Sequence, residues 1–155
     1  MSKAEGISGL TKTFRDSLAD VPDGSTVLFL GSEAVCSPFA QLLAYSVRHR
    51  KMRFAFSPKA DWERCKMMTW LEGVGYQVGS EGLDSKEAGV VVILGGLAML
   101  KFGCPVQEVS SFLSRIPGRP KVIGLGFMDI FRRSGWDKEV GLDILIDIYM
   151  STEVL

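Results

Sequence analysis

Two kinds of apolar pattern alternate along this chain. Ile7, Leu10, Phe14 and Leu18 recur at helical spacing, which predicts an amphipathic helix over residues 1–20 that packs on the rest of the protein. Residues 26–30, TVLFL, then form a continuous apolar run with β-branched and aromatic content, the pattern of a strand covered on both faces. After the loop GSEAVC, Ser37-Pro38 predicts a helix start, with serine as the cap and proline in the first turn, running to about Arg48. Lys51 to Phe56 alternates with period two and predicts a second strand. Asp61 to Leu71 reads as a helix stopped by Gly73 and Gly75.

Tyr76 to Val78 has the character of a short strand, and the stretch 79–88 is too short for a full crossover helix. Gly89 to Leu94 is the clearest buried strand. Gly95-Gly96 opens a long apolar connection to Cys104-Pro105, and Val106, Val109, Phe112, Leu113 and Ile116 then mark the inner side of a helix. Lys121 to Leu125 predicts the next strand, Met128 to Arg133 a short helix and Leu142 to Met150 a last strand. This alternation implies one α/β domain over residues 1–155: three-layered and doubly wound, on a mainly parallel sheet of five or six strands of Rossmann-like or flavodoxin-like type.

The strand order is 3-2-1-4-5-6 if Tyr76 to Val78 is counted and 2-1-3-4-5 if it is not. Either order sets residues 89–94 beside residues 26–30, so the loops at Gly31 and Gly95 face each other where strand order reverses. Open parallel sheets bind ligands there, outside the carboxyl ends of the strands. The first loop offers Gly31, Ser32, Glu33, Cys36 and Ser37 at a helix N-terminus, where backbone N–H groups and the helix dipole favour an anion. The second offers Gly95, Gly96, Met99, Lys101 and Cys104, with Lys101 as a source of positive charge. GLGFMD supplies Gly126 and Asp129, with Met99, Phe127 and Met128 as an apolar wall.

The expected ligand is a small anionic or phosphorylated molecule. The sequence identifies no cofactor: GSEAVCSP contains neither the dinucleotide fingerprint nor the phosphate-loop pattern. Alternatives are a thiol-dependent enzyme using Cys36 and Cys104, each near a predicted helix start, or a non-catalytic assembly subunit that forms a homo-oligomer.

Composition narrows these readings. Eighteen basic residues balance eighteen acidic ones, so no global field draws the chain to nucleic acid or an anionic membrane. The apolar runs fall well short of the roughly 20 residues that span a bilayer, and the N-terminus lacks a secretory pattern, which implies a cytoplasmic setting. Three widely spaced cysteines and one histidine, His49, fit neither a disulfide framework, a metal centre nor a serine triad. The basic run Arg48-His49-Arg50-Lys51 reads as a solvated helix end. Asp143 and Asp147 share one strand face about 13 Å apart, too far for a carboxylate dyad.

VVILGGLAMLKFGCP and KVIGLGFMDIFRRSGW, with the closing LDILIDIYM, resemble an archaeal family common in methanogens and classed as a domain of unknown function. That resemblance implies a Rossmann-like fold in an archaeal cytoplasm and transfers no catalytic residue. More distantly, VLFLGSEAVCSPFAQLLAYSV is similar to the opening of phosphosugar isomerase-type domains, which implies anion binding at the glycine-serine turn. The histidine and glutamate arrangement of the active isomerases is not evident here.

Overall fold

The run at 26–30 becomes β1 (Thr26–Gly31), buried from Val27 onward, and it sits at the middle of a seven-stranded sheet. The computed structural model describes residues 2–83 and 86–155. The remaining strands are β2 (Arg53–Pro58), β3 (Lys66–Leu71), β4 (Gly75–Gly82), β5 (Val90–Leu94), β6 (Lys121–Phe127) and β7 (Ile144–Ile148), in the order β4-β3-β2-β1-β5-β6-β7. Five strands, β2-β1-β5-β6-β7, are mutually parallel. This is the flavodoxin-like order, with an antiparallel hairpin of β3 and β4 added outside β2.

That hairpin corrects the helix expected over Asp61 to Leu71 and raises the strand count from five or six to seven. Only Trp62–Arg64 is helical there, as one 3-10 turn after Asp61, whose side chain accepts the Glu63 N–H. Met67 and Met68 are then buried on β3 between its neighbours, while Trp70 and Leu71 emerge toward the turn. Gly73 and Gly75 adopt φ of +76° and +103°, so they reverse a hairpin instead of ending a helix. The expected strand at Tyr76 to Val78 is present within the longer β4. Of the connection 79–88, Asp84 and Ser85 lie outside the described residues.

Helices cover both faces. On one side α1 (Gly6–Ser17), with Leu18 just beyond its end, and α2 (Ser37–Ser46) bury Phe14, Leu18, Ala40 and Leu43 against Phe29, Phe54 and Val92 of the sheet. On the other, α3 (Val106–Ser114) and the short α4 (Ile130–Ser134) and α5 (Trp136–Glu139) bring Val109, Phe112, Phe131 and Trp136 against Leu28, Val91 and Ile93. Burial on two faces explains the unbroken apolar runs of β1 and β5. It also explains β2, where Phe54 to Pro58 are all buried. Truncating a residue such as Phe29 would cost about 3–5 kcal/mol. No helix among the described residues is long and apolar enough to cross a membrane.

Candidate functional site

The glycines at the carboxyl edge are required by packing. A Cβ on Gly31 would overlap Cys36, one on Gly96 would stand 2.5 Å from Cys36 Sγ, and one on Gly95 would stand 2.8 Å from Gly126 Cα. At Gly126 it would stand 2.7 Å from Ile130 Cγ2. These four positions let the loops after β1, β5 and β6 close on one another, so the predicted juxtaposition across β1 and β5 is present. The close approach buries all four glycines.

A cavity of about 240 Å³ lies between those loops. The start of α2 contributes Val35, Cys36 and Phe39; the end of β5 and the turn beyond it contribute Leu94, Gly95, Gly96 and Met99. Leu125, Phe127 and Met128 close the β6 side, and Ile130 and Arg133 of α4 complete the lining. Phe39 and Phe127 meet edge to face at 4.8 Å. The wall is apolar apart from backbone, the Cys36 thiol and Arg133, whose Nε donates to Met128 O at 2.8 Å.

The residues expected to bind an anion divide. Cys36, Gly95, Gly96 and Met99 line the cavity, and Gly126 lies directly behind Gly95. Ser32 is buried and its hydroxyl donates to Phe102 O at 2.6 Å, which ties the β1 loop to the β5 loop. Glu33 faces outward and pairs with Arg64. Ser37 is the first residue of α2 and not its cap: Cys36 holds that place, and its carbonyl accepts the Phe39 and Ala40 N–H groups. Lys101 is exposed, with Nζ 5.5 Å from the Phe102 ring centroid. Asp129 makes no cap hydrogen bond. It pairs with Arg132, and its N–H donates to Asp147 Oδ1 at 3.0 Å.

Arg133 escaped the sequence reading because the basic pair Arg132-Arg133 looks like an ordinary helix C-terminus. The available signal was its spacing from Ile130, which sets both residues on one side of a helical turn. Backbone strain concentrates at the same edge. Among the described residues, positive φ at non-glycine positions occurs at Ala34, Lys59, Met128 and Asp129, which follow β1, β2 and β6. Each such residue costs about 1–2 kcal/mol.

Burial disfavours the thiolate at both candidate cysteines. Burial raises Cys36 above the ordinary thiol value despite hydrogen bonds from its Ser32 and Gly96 neighbours. Burial, then the charge of Glu108, pushes Cys104 up to about 11. Cys36 belongs to the core on the α1–α2 face, whereas Cys104 packs against the core on the α3 face. Nucleophilic cysteines need the opposite shift and an electropositive setting. Among the described residues no group of three or more histidine, cysteine, aspartate or glutamate side chains could hold a metal ion.

The family described as an uncharacterized protein conserved in archaea, DUF2124, matches residues 5–151. The chain belongs to this family. An uncharacterized protein of Methanocaldococcus jannaschii is 33% identical to this DUF2124 chain over 155 residues, covering 99% of it and 92% of the relative. Another, from Methanothermobacter thermautotrophicus, is 30% identical and covers 100% and 97%. The crystal structure of a protein of unknown function from Methanothermobacter thermautotrophicus superposes on the DUF2124 fold with a TM-score of 0.89 at 29% identity, covering 100% of this chain and 96% of that one. The archaeal resemblance is therefore correct. The likeness of the glycine-serine turn to phosphosugar isomerase-type domains gains no support from these relatives.

Proposed function

We propose that this DUF2124 protein is a cytoplasmic small-molecule-binding domain whose ligand places an apolar body in the carboxyl-edge cavity and an anionic group against Arg133. The observation that carries this reading is the cavity itself, at the point where strand order reverses. An apolar cavity of about 150 Å³ accommodates benzene, and ligand pockets for drug-sized molecules begin near 300 Å³. At about 240 Å³ this cavity suits a single ring or branched chain with one substituent, and it is too small to enclose a nucleotide. Arg133 adds a fixed cation at the rim, able to meet carboxylate or phosphate with two donors. Relative to the expectation from sequence, the anion site moves from the Gly31–Ser32 turn to α4.

The test is a thermal-shift series with benzoate, phenyl phosphate, branched-chain carboxylates and inorganic phosphate, on the wild type and Arg133→Ala. A cognate apolar anion at a hundredfold excess over its Kd stabilises by about 2.7 kcal/mol, a rise of several degrees. Arg133→Ala should reduce that rise. Stabilisation by inorganic phosphate alone, or none by any apolar anion, counts against the reading.

A further inference from the structure

A second surface lies at the far edge of the sheet, on the β3–β4 hairpin. Four rings touch in succession there: Phe54 and Tyr76 edge to face at 4.9 Å, Tyr76 and Trp70 at 5.3 Å, and Trp70 and Tyr45 nearly parallel at 6.0 Å and 9°. The ladder starts in the core at Phe54 and ends in Trp70 and Tyr45, each 43% exposed. Both ends of the exposed part are charged. The Arg48 guanidinium carbon lies 4.0 Å from the Tyr45 ring centroid, and the Trp70 indole N–H donates to Glu72 at 3.1 Å. The surface thus presents a row of cation, ring, ring and carboxylate: Arg48, Tyr45, Trp70, Glu72. Leu71 and Val74, near the hairpin turn, are also largely exposed, Leu71 on the opposite face of the strand from Trp70.

We propose that this row is a contact surface for a second copy of the chain. The copies pack about a two-fold axis with the two rows antiparallel, so that each Arg48 faces Glu72 of the other copy. A row with opposite charges at its ends is complementary to itself under such an axis, which is the requirement of an isologous interface. The balanced charge of the chain, eighteen basic and eighteen acidic residues, sets no net repulsion between copies. Tryptophan, tyrosine and arginine are the side chains that dominate interface energetics. A nucleic acid strand is the poorer occupant: a base stacked on Trp70 would bring its phosphates against Glu72.

Sedimentation over a range of concentrations tests the proposal with charge reversals at two exposed positions, checked for folding by thermal melting. The wild type should reach the mass of two chains. Arg48→Glu and Glu72→Lys should each weaken the dimer by about tenfold or more, because the symmetry doubles every like-charge contact. The double reversal should restore it. A wild type that stays monomeric at every concentration overturns the proposal. So does a dimer indifferent to both single reversals.

Discussion

The hydroxyl of Ser32 donates to the carbonyl of Phe102 at 2.6 Å, joining two loops 70 residues apart in the chain. A serine after the central strand is thereby a tie between cavity walls, since Met99 lines the cavity from the loop that Phe102 anchors. Removing the hydroxyl leaves a carbonyl short of its partner, at about 1–2 kcal/mol. Ser32→Ala should therefore lower stability by that amount. It should also speed amide exchange at Gly103 and Cys104, whose N–H groups close the same loop onto Met99 O and Leu97 O. Unchanged exchange there would remove the tie from the account.

The packing role of the glycines separates two neighbours. Gly96→Ala pushes a methyl toward Cys36 Sγ, a side chain, whereas Gly95→Ala pushes one toward Gly126 Cα, which is backbone. Each should destabilise by about 1–3 kcal/mol. Shortening Cys36 to alanine should offset part of the Gly96→Ala loss and none of the Gly95→Ala loss. Denaturant unfolding of the singles and doubles measures that coupling.

Thiol chemistry gives a pH prediction. With its value near 11, Cys104 is only about one part in a thousand thiolate at pH 8. Alkylation of folded protein should be slow at pH 8 and accelerate steeply up to about pH 11. Fast labelling of Cys36 or Cys104 at pH 7 would reopen a nucleophilic role.

Asp143 supplies a second one. Its carboxylate accepts the Val122 N–H and the Arg119 guanidinium, each at 2.8 Å, and the backbone hydrogen bond is the larger cause of its lowered pKa. Because the folded value lies below the unfolded one, the stabilisation is full above the unfolded carboxylate range near 3.9 and is lost as pH falls through the lowered folded value. Asp143→Asn should be less stable than wild type at neutral pH, and the difference should shrink as pH falls below the unfolded carboxylate range. A gap that persists in acid would mean that the side chain acts through packing.

Much of the fold was legible because buried parallel strands write themselves as unbroken apolar runs, as at β1 and β5. Strand β3 was not, because Trp62 and the Met67-Met68 pair have no period that separates a short helix from a half-covered strand. The glycines were legible, and Gly95 and Gly96 do line the cavity, but one sequence position cannot tell a glycine that approaches a ligand from one that approaches Cys36. Arg133 and Phe39 were missed as site residues because their chain positions suggested a helix end and a helix core. Only the convergence of three loops brings them to one cavity.

The most direct measurement is a methyl-resolved NMR titration of the protein with phenyl phosphate, beside inorganic phosphate. The account predicts that phenyl phosphate shifts the methyl signals of Met99, Met128, Leu94 and Ile130 in a saturable way, and that Arg133→Ala weakens the response. Inorganic phosphate should leave those methyls unmoved. Silent cavity methyls, with phosphate instead shifting the Ser32 and Glu33 amides, would contradict it and return the site to the turn after β1.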